Sequence, residues 1–276
     1  MPLNEALAMA ARTDPGKMRA NNEDAVFCDA SLGLAILADG MGGYNAGEVA
    51  SGMATTLLAE SLGRVMSEVA AQPPGDTGLR SIHLQLWELI DDANAEIYCA
   101  AQSDFRCFGM GTTLVVAWFY DNCLTVAHIG DSRLYRLRGD GLEQITRDHS
   151  LLQEQLDSGM ISPAQARAFH ARNLVTRAVG VEPGVEPEIQ EVDALVGDLF
   201  LLCSDGLSDM VDDGEIARTL REYGDDPAIA ADRLVEMAND NGGRDNVSVV
   251  VVKVRGAFPA ATGKWQKLLS RFGQDR

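Results

Sequence analysis

The sequence predicts an α+β protein built as a four-layer α/β/β/α sandwich, two mostly antiparallel sheets flanked by paired antiparallel helices. Three observations lead there. Apolar runs of strand length come in groups instead of alternating singly with helices, which argues against βαβ units. Two amphipathic stretches of helical period follow one another early in the chain, and two more follow one another near its end. Compact turns such as Asp121-Asn122 and Gly139-Asp140-Gly141 join neighbouring apolar runs closely enough for hairpins.

Taken in order, Ala6 to Ala11 reads as a first strand closed by the turn Asp14-Pro15-Gly16. The runs Ala25 to Cys28 and Leu34 to Ala38 read as a hairpin whose ends carry Glu23, Asp24 and Asp39. Asn45, with Glu48 three residues on, has the capping-box pattern that starts a helix through Val69. The linker Gln72 to Gly78 breaks that helix, and a second places Ile82, Leu86, Leu89, Ala93 and Ile97 on one face. The runs Thr112 to Tyr120, Cys123 to Ile129, Leu134 to Arg138 and Leu142 to Ile145 read as one antiparallel meander. Leu151 to Ser158 and a stretch from Ser162-Pro163 read as short helices. Residues 150–180 lack a long apolar face and carry Arg172 and Arg177, the pattern of a flap beside a site. A strand from Asp198 to Asp205, helices at Asp213 to Tyr223 and Pro227 to Asp240, and a last strand, Val247 to Val254, complete the domain, expected to span 1–255. In the tail, 256–276, Trp265, Leu268, Leu269 and Phe272 share one helical face, the pattern of a packed terminal helix or frayed tail before that of a docking helix.

The stretch Ile36 to Gly43 organises the chemistry. An apolar run ends in Asp39, and glycines follow that allow a sharp turn. The same pattern recurs at Asp205 after Leu199 to Ser204, at Asp131 after Ala127 to Gly130, and at Asp245 before Val247. One Asp-Gly at a strand tip is ordinary turn chemistry. Four acids on buried runs are more than that, because at ~4 Å and an effective dielectric near 20 each like-charged pair costs about 4 kcal/mol. Oxygen donors without histidine or thiolate select Mg²⁺, Mn²⁺ or Ca²⁺ over zinc.

A net charge of −18 over 276 residues argues against a phosphate-neutralising face, so no nucleic acid partner is expected. Five cysteines without CxxC spacing point to a reducing compartment. No apolar run reaches the ~20 residues of a membrane span, and Met1 to Ala11 lacks the pattern of a signal peptide. A cytoplasmic protein is expected.

Together these pieces resemble the metal-dependent Ser/Thr protein phosphatases of the type 2C family, in their bacterial form. The resemblance rests on Arg19 with Glu23-Asp24, Asp39-Gly40-Met41-Gly42-Gly43, Gly109-Met110-Gly111-Thr112-Thr113 and Gly130-Asp131-Ser132-Arg133. Thr146-Arg147-Asp148-His149-Ser150, Ser204-Asp205-Gly206 and Asp245-Asn246 complete it, in family order from about Arg12 to Val254. It implies two Mn²⁺ or Mg²⁺ ions, with Asp39 bridging them and Asp205 and Asp245 completing the first. The Gly40 carbonyl would bind the second ion, with Glu23 and Asp24 holding its waters. Asp131 matches the position that binds a looser third ion, and Arg19 the arginine that grips phosphate. The implied reaction is hydrolysis of phosphoserine and phosphothreonine in proteins by a hydroxide activated between the metals, opposing a Ser/Thr kinase, by a monomer. Met41 departs from the family pattern: many eukaryotic relatives carry a histidine there, assigned as general acid, and a thioether has no proton to donate. Two rival readings stay open, a phosphatase dedicated to one phosphorylated regulator and a weak module that only binds phosphoproteins.

Overall fold

The computed structural model describes residues 1–43, 46–71, 82–162, 165 and 174–259, with the side chains of 66–71 left aside. A short helix, α1 (Leu3–Ala6), leads into β1 (Leu7–Asp14). The hairpin β2 (Asp24–Asp29) and β3 (Leu34–Met41) comes next, then the long helices α2 (Ala46–Ala71) and α3 (Ile82–Ser103). Strands β4 (Gly111–Thr112), β5 (Leu114–Tyr120), β6 (Cys123–Ile129), β7 (Arg133–Arg138) and β8 (Gly141–Gln144) precede α4 (Leu151–Asp157). The chain ends in β9 (Glu188–Asp193), β10 (Leu199–Cys203), α5 (Asp205–Ser208), α6 (Asp213–Tyr223), α7 (Pro227–Asp240) and β11 (Val247–Val254).

Two sheets result, one ordered β1-β11-β10-β7-β8 and the other β2-β3-β5-β6-β9 with β4 on β3, every pairing antiparallel. The central strands are buried on both faces, which is why they read as continuous apolar runs. On β3 and β5, Ile36, Ala38, Val116 and Trp118 pack outward against Ala54, Leu58, Leu86 and Ile90 of α2 and α3. Alternate residues, Ala35, Leu37, Val115, Ala117 and Phe119, turn inward to meet Phe200, Leu202, Val250 and Val252 of the other sheet. There the Phe119 and Phe200 rings pack edge to face with centroids 5.4 Å apart. Leu201, Cys203, Val249 and Val251 face outward onto Ile216, Leu220 and Leu234 of α6 and α7. Three apolar layers between four structural layers make the expected sandwich.

The expected meander is divided. β5 and β6 belong to one sheet, β7 and β8 to the other, so the chain changes sheets at Gly130-Asp131-Ser132. Gly130 makes the crossing with φ of +98°, a conformation that costs glycine no steric penalty. β9 is the strand the pattern hides: an edge strand of sequence EIQEVD, acid-rich as exposed sheet edges are. The Asn45 cap, the linker Gln72 to Gly78, the helix from Pro163, Arg172 and the tail helix lie outside the described residues. At the base of the flap, Ser150 bridges to Val175, and Thr176 N–H donates to the His149 carbonyl at 2.8 Å.

Candidate metal centre

Sheet register creates the first half of the site. β2 and β3 pair so that Asp24 lies opposite Asp39. The Asp39 backbone is held from both sides: its N–H donates to Thr113 Oγ1 at 3.0 Å, and its carbonyl accepts from Thr113 N–H at 2.8 Å and Thr112 Oγ1 at 2.9 Å. Thr113 Oγ1 also meets Ser132 Oγ at 2.7 Å, which ties this strand to the Asp131 crossing. Gly40 N–H donates to the Glu23 carbonyl at 3.1 Å. The Glu23 carboxylate accepts from Gly47 N–H in the first turn of α2, where the helix dipole favours an anion.

The second half comes from the other sheet. Asp205 opens α5 directly after β10, and Asp245 precedes β11. Their loops touch: a Cβ on Gly206 would stand 1.9 Å from the Asn246 carbonyl oxygen, so only glycine fits there. Asn246 sews the N-terminal segment to this loop. Its Oδ1 accepts from Glu23 N–H at 2.8 Å, and its Nδ2 donates to the carbonyls of Pro15 at 3.0 Å and Asn21 at 2.8 Å. Arg19 Nη2 donates to Asp245 Oδ2 at 2.7 Å. Across the sheets, Ser204 Oγ donates to Asp24 Oδ2 at 3.0 Å.

Six acids thus meet where the two sheets abut, and their electrostatics record it. Burial first, then the charges of Asp24, Asp205, Asp131 and Asp245, push the Asp39 carboxyl well above its ordinary range. Burial followed by Asp131, Asp209, Asp245 and Asp24 does the same to Asp205. Asp24 is raised to about 6 by burial, against hydrogen bonds from Ser248, Ser204 and Asp39 that pull it down. Asp131 rises to about 6, from burial and then the charge of Asp148. Glu23 is raised by burial, which Arg19 partly offsets.

Every donor in this cluster is a carboxylate or carbonyl oxygen, the set that suits Mg²⁺ or Mn²⁺. Asp24 Oδ1 is buried without a hydrogen-bond partner among the described residues, an acceptor that a cation or its hydration shell would satisfy. The residues therefore fit a hard divalent ion. Among the described residues, only His128, His149 and Glu188 bring three ligand atoms within 4.8 Å of one another. Those two rings stack with centroids 4.7 Å apart. Their hydrogen bonds tie both rings to backbone. His128 Nε2 lies 2.8 Å from the Arg147 carbonyl and 3.3 Å from the Arg147 N–H, so both backbone groups of Arg147 hold this ring nitrogen. His149 Nδ1 accepts from Gly130 N–H at 3.2 Å, so Nε2 carries the proton and faces Glu188 at 3.5 Å. His149 clasps Gly130, also donating its backbone N–H to the Gly130 carbonyl at 2.9 Å, and so positions the Asp131 crossing.

The structure brings Glu23, Asp24, Asp39, Gly40, Asp131, Asp205 and Asp245 together with Arg19 beside them. Reasoning from sequence passed over Asp209, whose charge acts on Asp205. Its spacing of four residues on a helical turn was the available signal. It also gave no part to Ser204 and Ser132, whose hydroxyls link elements distant in sequence and leave no pattern.

Residues 17–237 match the family model described as Protein phosphatase 2C. The chain is 43% identical over 249 residues to the serine/threonine protein phosphatase PstP of Mycobacterium tuberculosis, covering 90% of this chain and 45% of that protein. It thus spans about half the length of that curated relative. It is 39% identical over 251 residues to the serine/threonine phosphatase Stp of Listeria innocua, covering 88% of this chain and 94% of that one. The crystal structure of the PstP catalytic domain in complex with two manganese ions superposes with a TM-score of 0.77 at 41% identity, covering 91% of this chain and 99% of that chain.

Proposed function

This chain belongs to the protein phosphatase 2C family, and from that premise we propose that it hydrolyses phosphoserine and phosphothreonine in proteins with the help of two Mn²⁺ or Mg²⁺ ions. The observation that carries the reading is the meeting of Asp24, Asp39, Asp131, Asp205 and Asp245, with Arg19 alone supplying a cation among the groups acting most strongly on Glu23, Asp39 and Asp205. Asp39, between the charges of both halves, is assigned to bridge the ions, with Asp205 and Asp245 on the first. The Gly40 carbonyl is assigned to the second, Glu23 and Asp24 to its hydration shell, and Asp131 to a third. When bound, two such ions lower the pKa of a water between them and stabilise the oxygens of an in-line displacement.

The remaining chemistry is the chain's own. Arg19, half-exposed at the edge of the cluster, has a planar guanidinium that spans two phosphoryl oxygens and orients the ester. Thr112 and Thr113 fix the Asp39 backbone, so the carboxylate is preorganised before substrate arrives. Met41, at the end of β3, has no proton to give to the leaving oxygen.

We place the catalytic domain at residues 1–255, with the flap at about 150–180 and a tail beyond. We assign a monomer working in the cytoplasm against a Ser/Thr kinase. No helix among the described residues is long and apolar enough to cross a membrane, and the five cysteines are free. The test is manganese-dependent hydrolysis of p-nitrophenyl phosphate and of a phosphothreonine peptide, beside Asp39→Asn and Asp205→Asn. Turnover by the variants equal to that of the parent would falsify the assignment. Binding is read separately by melting: ligand held only by the folded chain stabilises it by about 2.7 kcal/mol at a hundredfold excess over Kd. Coincident melts in chelator and in millimolar Mn²⁺ would remove the metal site.

A further inference from the structure

A cavity of about 510 Å³ lies between α3 and residues 176–186, the segment that leads from the flap into β9. Trp87 and Asp91 stand one turn apart on the same face of α3 and form one wall. Arg177, Val181, Glu182 and Glu186 belong to the other. That second wall is firmly built. The fully buried Asn94 of α3 accepts from Gly180 N–H at 2.7 Å and donates from Nδ2 to the Glu182 carbonyl at 3.1 Å. Val179 exchanges both backbone hydrogen bonds with Thr112, at 3.0 and 2.9 Å. Thr112 in turn donates its hydroxyl to the Asp39 carbonyl. The groove's wall is therefore joined through Thr112 to the backbone of Asp39.

Its charge selects the occupant. Three carboxylates, Asp91, Glu182 and Glu186, line it against one guanidinium. Arg177 lines the same cavity, and its charge also acts on His128 and His149. The Trp87 indole, 39% exposed, lines the same cavity as the acids. A cation gains from both the indole face and the carboxylates, whereas an acidic side chain is repelled by them and by a chain of net charge −18. We propose that this groove is a specificity site that binds an arginine or lysine side chain flanking the phosphorylated residue of a protein substrate. The proposal rests on the phosphatase reading for the identity of the peptide.

The experiment compares phosphothreonine peptides that differ only in carrying arginine, alanine or glutamate beside the phosphorylated residue. Turnover gives kcat and KM, and fluorescence anisotropy of the matching non-hydrolysable phosphonate peptides gives Kd without chemistry. The arginine peptide should bind roughly fivefold more tightly than the alanine peptide, the size of an exposed cation–π contact with ion pairing, and the difference should fall on KM. In Asp91→Asn/Glu182→Gln/Glu186→Gln, and separately in Trp87→Leu, the preference should shrink towards unity while p-nitrophenyl phosphate turnover stays unchanged. Equal binding of the three peptides by the parent protein, a preference for glutamate, or a preference for arginine that survives in both variants overturns the proposal. Absence of manganese-dependent turnover of every substrate would strike the phosphatase reading instead, and the anisotropy series would still decide the groove.

Discussion

Two sets of acids sit among the same strands and are treated in opposite ways. Asp198, at the start of β10, is 2% exposed, and Arg138 forks onto it at 2.9 and 2.7 Å while Leu195 N–H donates at 2.8 Å. Asp148 is held likewise by Arg133, with three contacts of 2.6 to 3.1 Å, and by Gln144 at 2.8 Å. Asp24, Asp39, Asp131 and Asp205, by contrast, have carboxyls driven upward first by burial and then by neighbouring carboxylates. A buried acid that serves the fold is clasped by a guanidinium. Acids whose carboxyls are raised by burial and by neighbouring carboxylates suit a cation from outside.

Four substitutions test that contrast, in falling order of their consequence. Asp39→Asn should lower kcat at saturating Mn²⁺ by about a thousandfold or more, since several kcal/mol of charge stabilisation depend on that centre. A steady-state assay that shows less than a tenfold loss breaks the comparison at its strongest point.

Asp24→Asn should act in the other direction on stability. In chelator the Asp24 carboxyl titrates at about 6 in the folded chain and near 4 when unfolded. Its raised folded value makes its contribution complete below pH 4 and progressively lost as the pH rises through 6. The variant escapes that loss, so its melting advantage should be absent at pH 4 and grow by up to about 3 kcal/mol by pH 7 to 8. A pH-independent gap would show that Asp24 is already compensated.

Arg138→Ala should destabilise by about 2–3 kcal/mol in urea unfolding, less than for a fully buried pair because Arg138 is partly solvated. Turnover per folded molecule should not move. A matching loss of turnover would merge the two sets of acids into one. Arg19→Lys should cost about tenfold in kcat/KM, because an ammonium cannot span two phosphoryl oxygens. Its effect on stability should stay below about 1 kcal/mol, the usual limit for an exposed ion pair.

Much of this was legible in the chain. Strand tips that end in Asp39, Asp131 and Asp205, and the loop holding Asp245, stand out because apolar runs stop abruptly at a carboxylate. The helix pairs stand out by their period. What stayed hidden has a common cause. β9 has too few apolar residues to show a period, since one of its edges is open. The change of sheet at Gly130 leaves only an ordinary turn signal. Ser204 and Asn246 act through hydrogen bonds to segments far away in sequence, which spacing does not encode.

The sequence by itself determined which acids end the strands and that their oxygens suit a hard cation, because hydrophobic period and donor type are local properties. Only the tertiary structure decided that Asp39 and Asp205 come from different sheets and feel one another's charge. It also decided that Arg19 reaches Asp245 and that His149 braces a loop. The reason is geometric: where two sheets abut depends on how three apolar layers pack together, and no single stretch of chain contains that information.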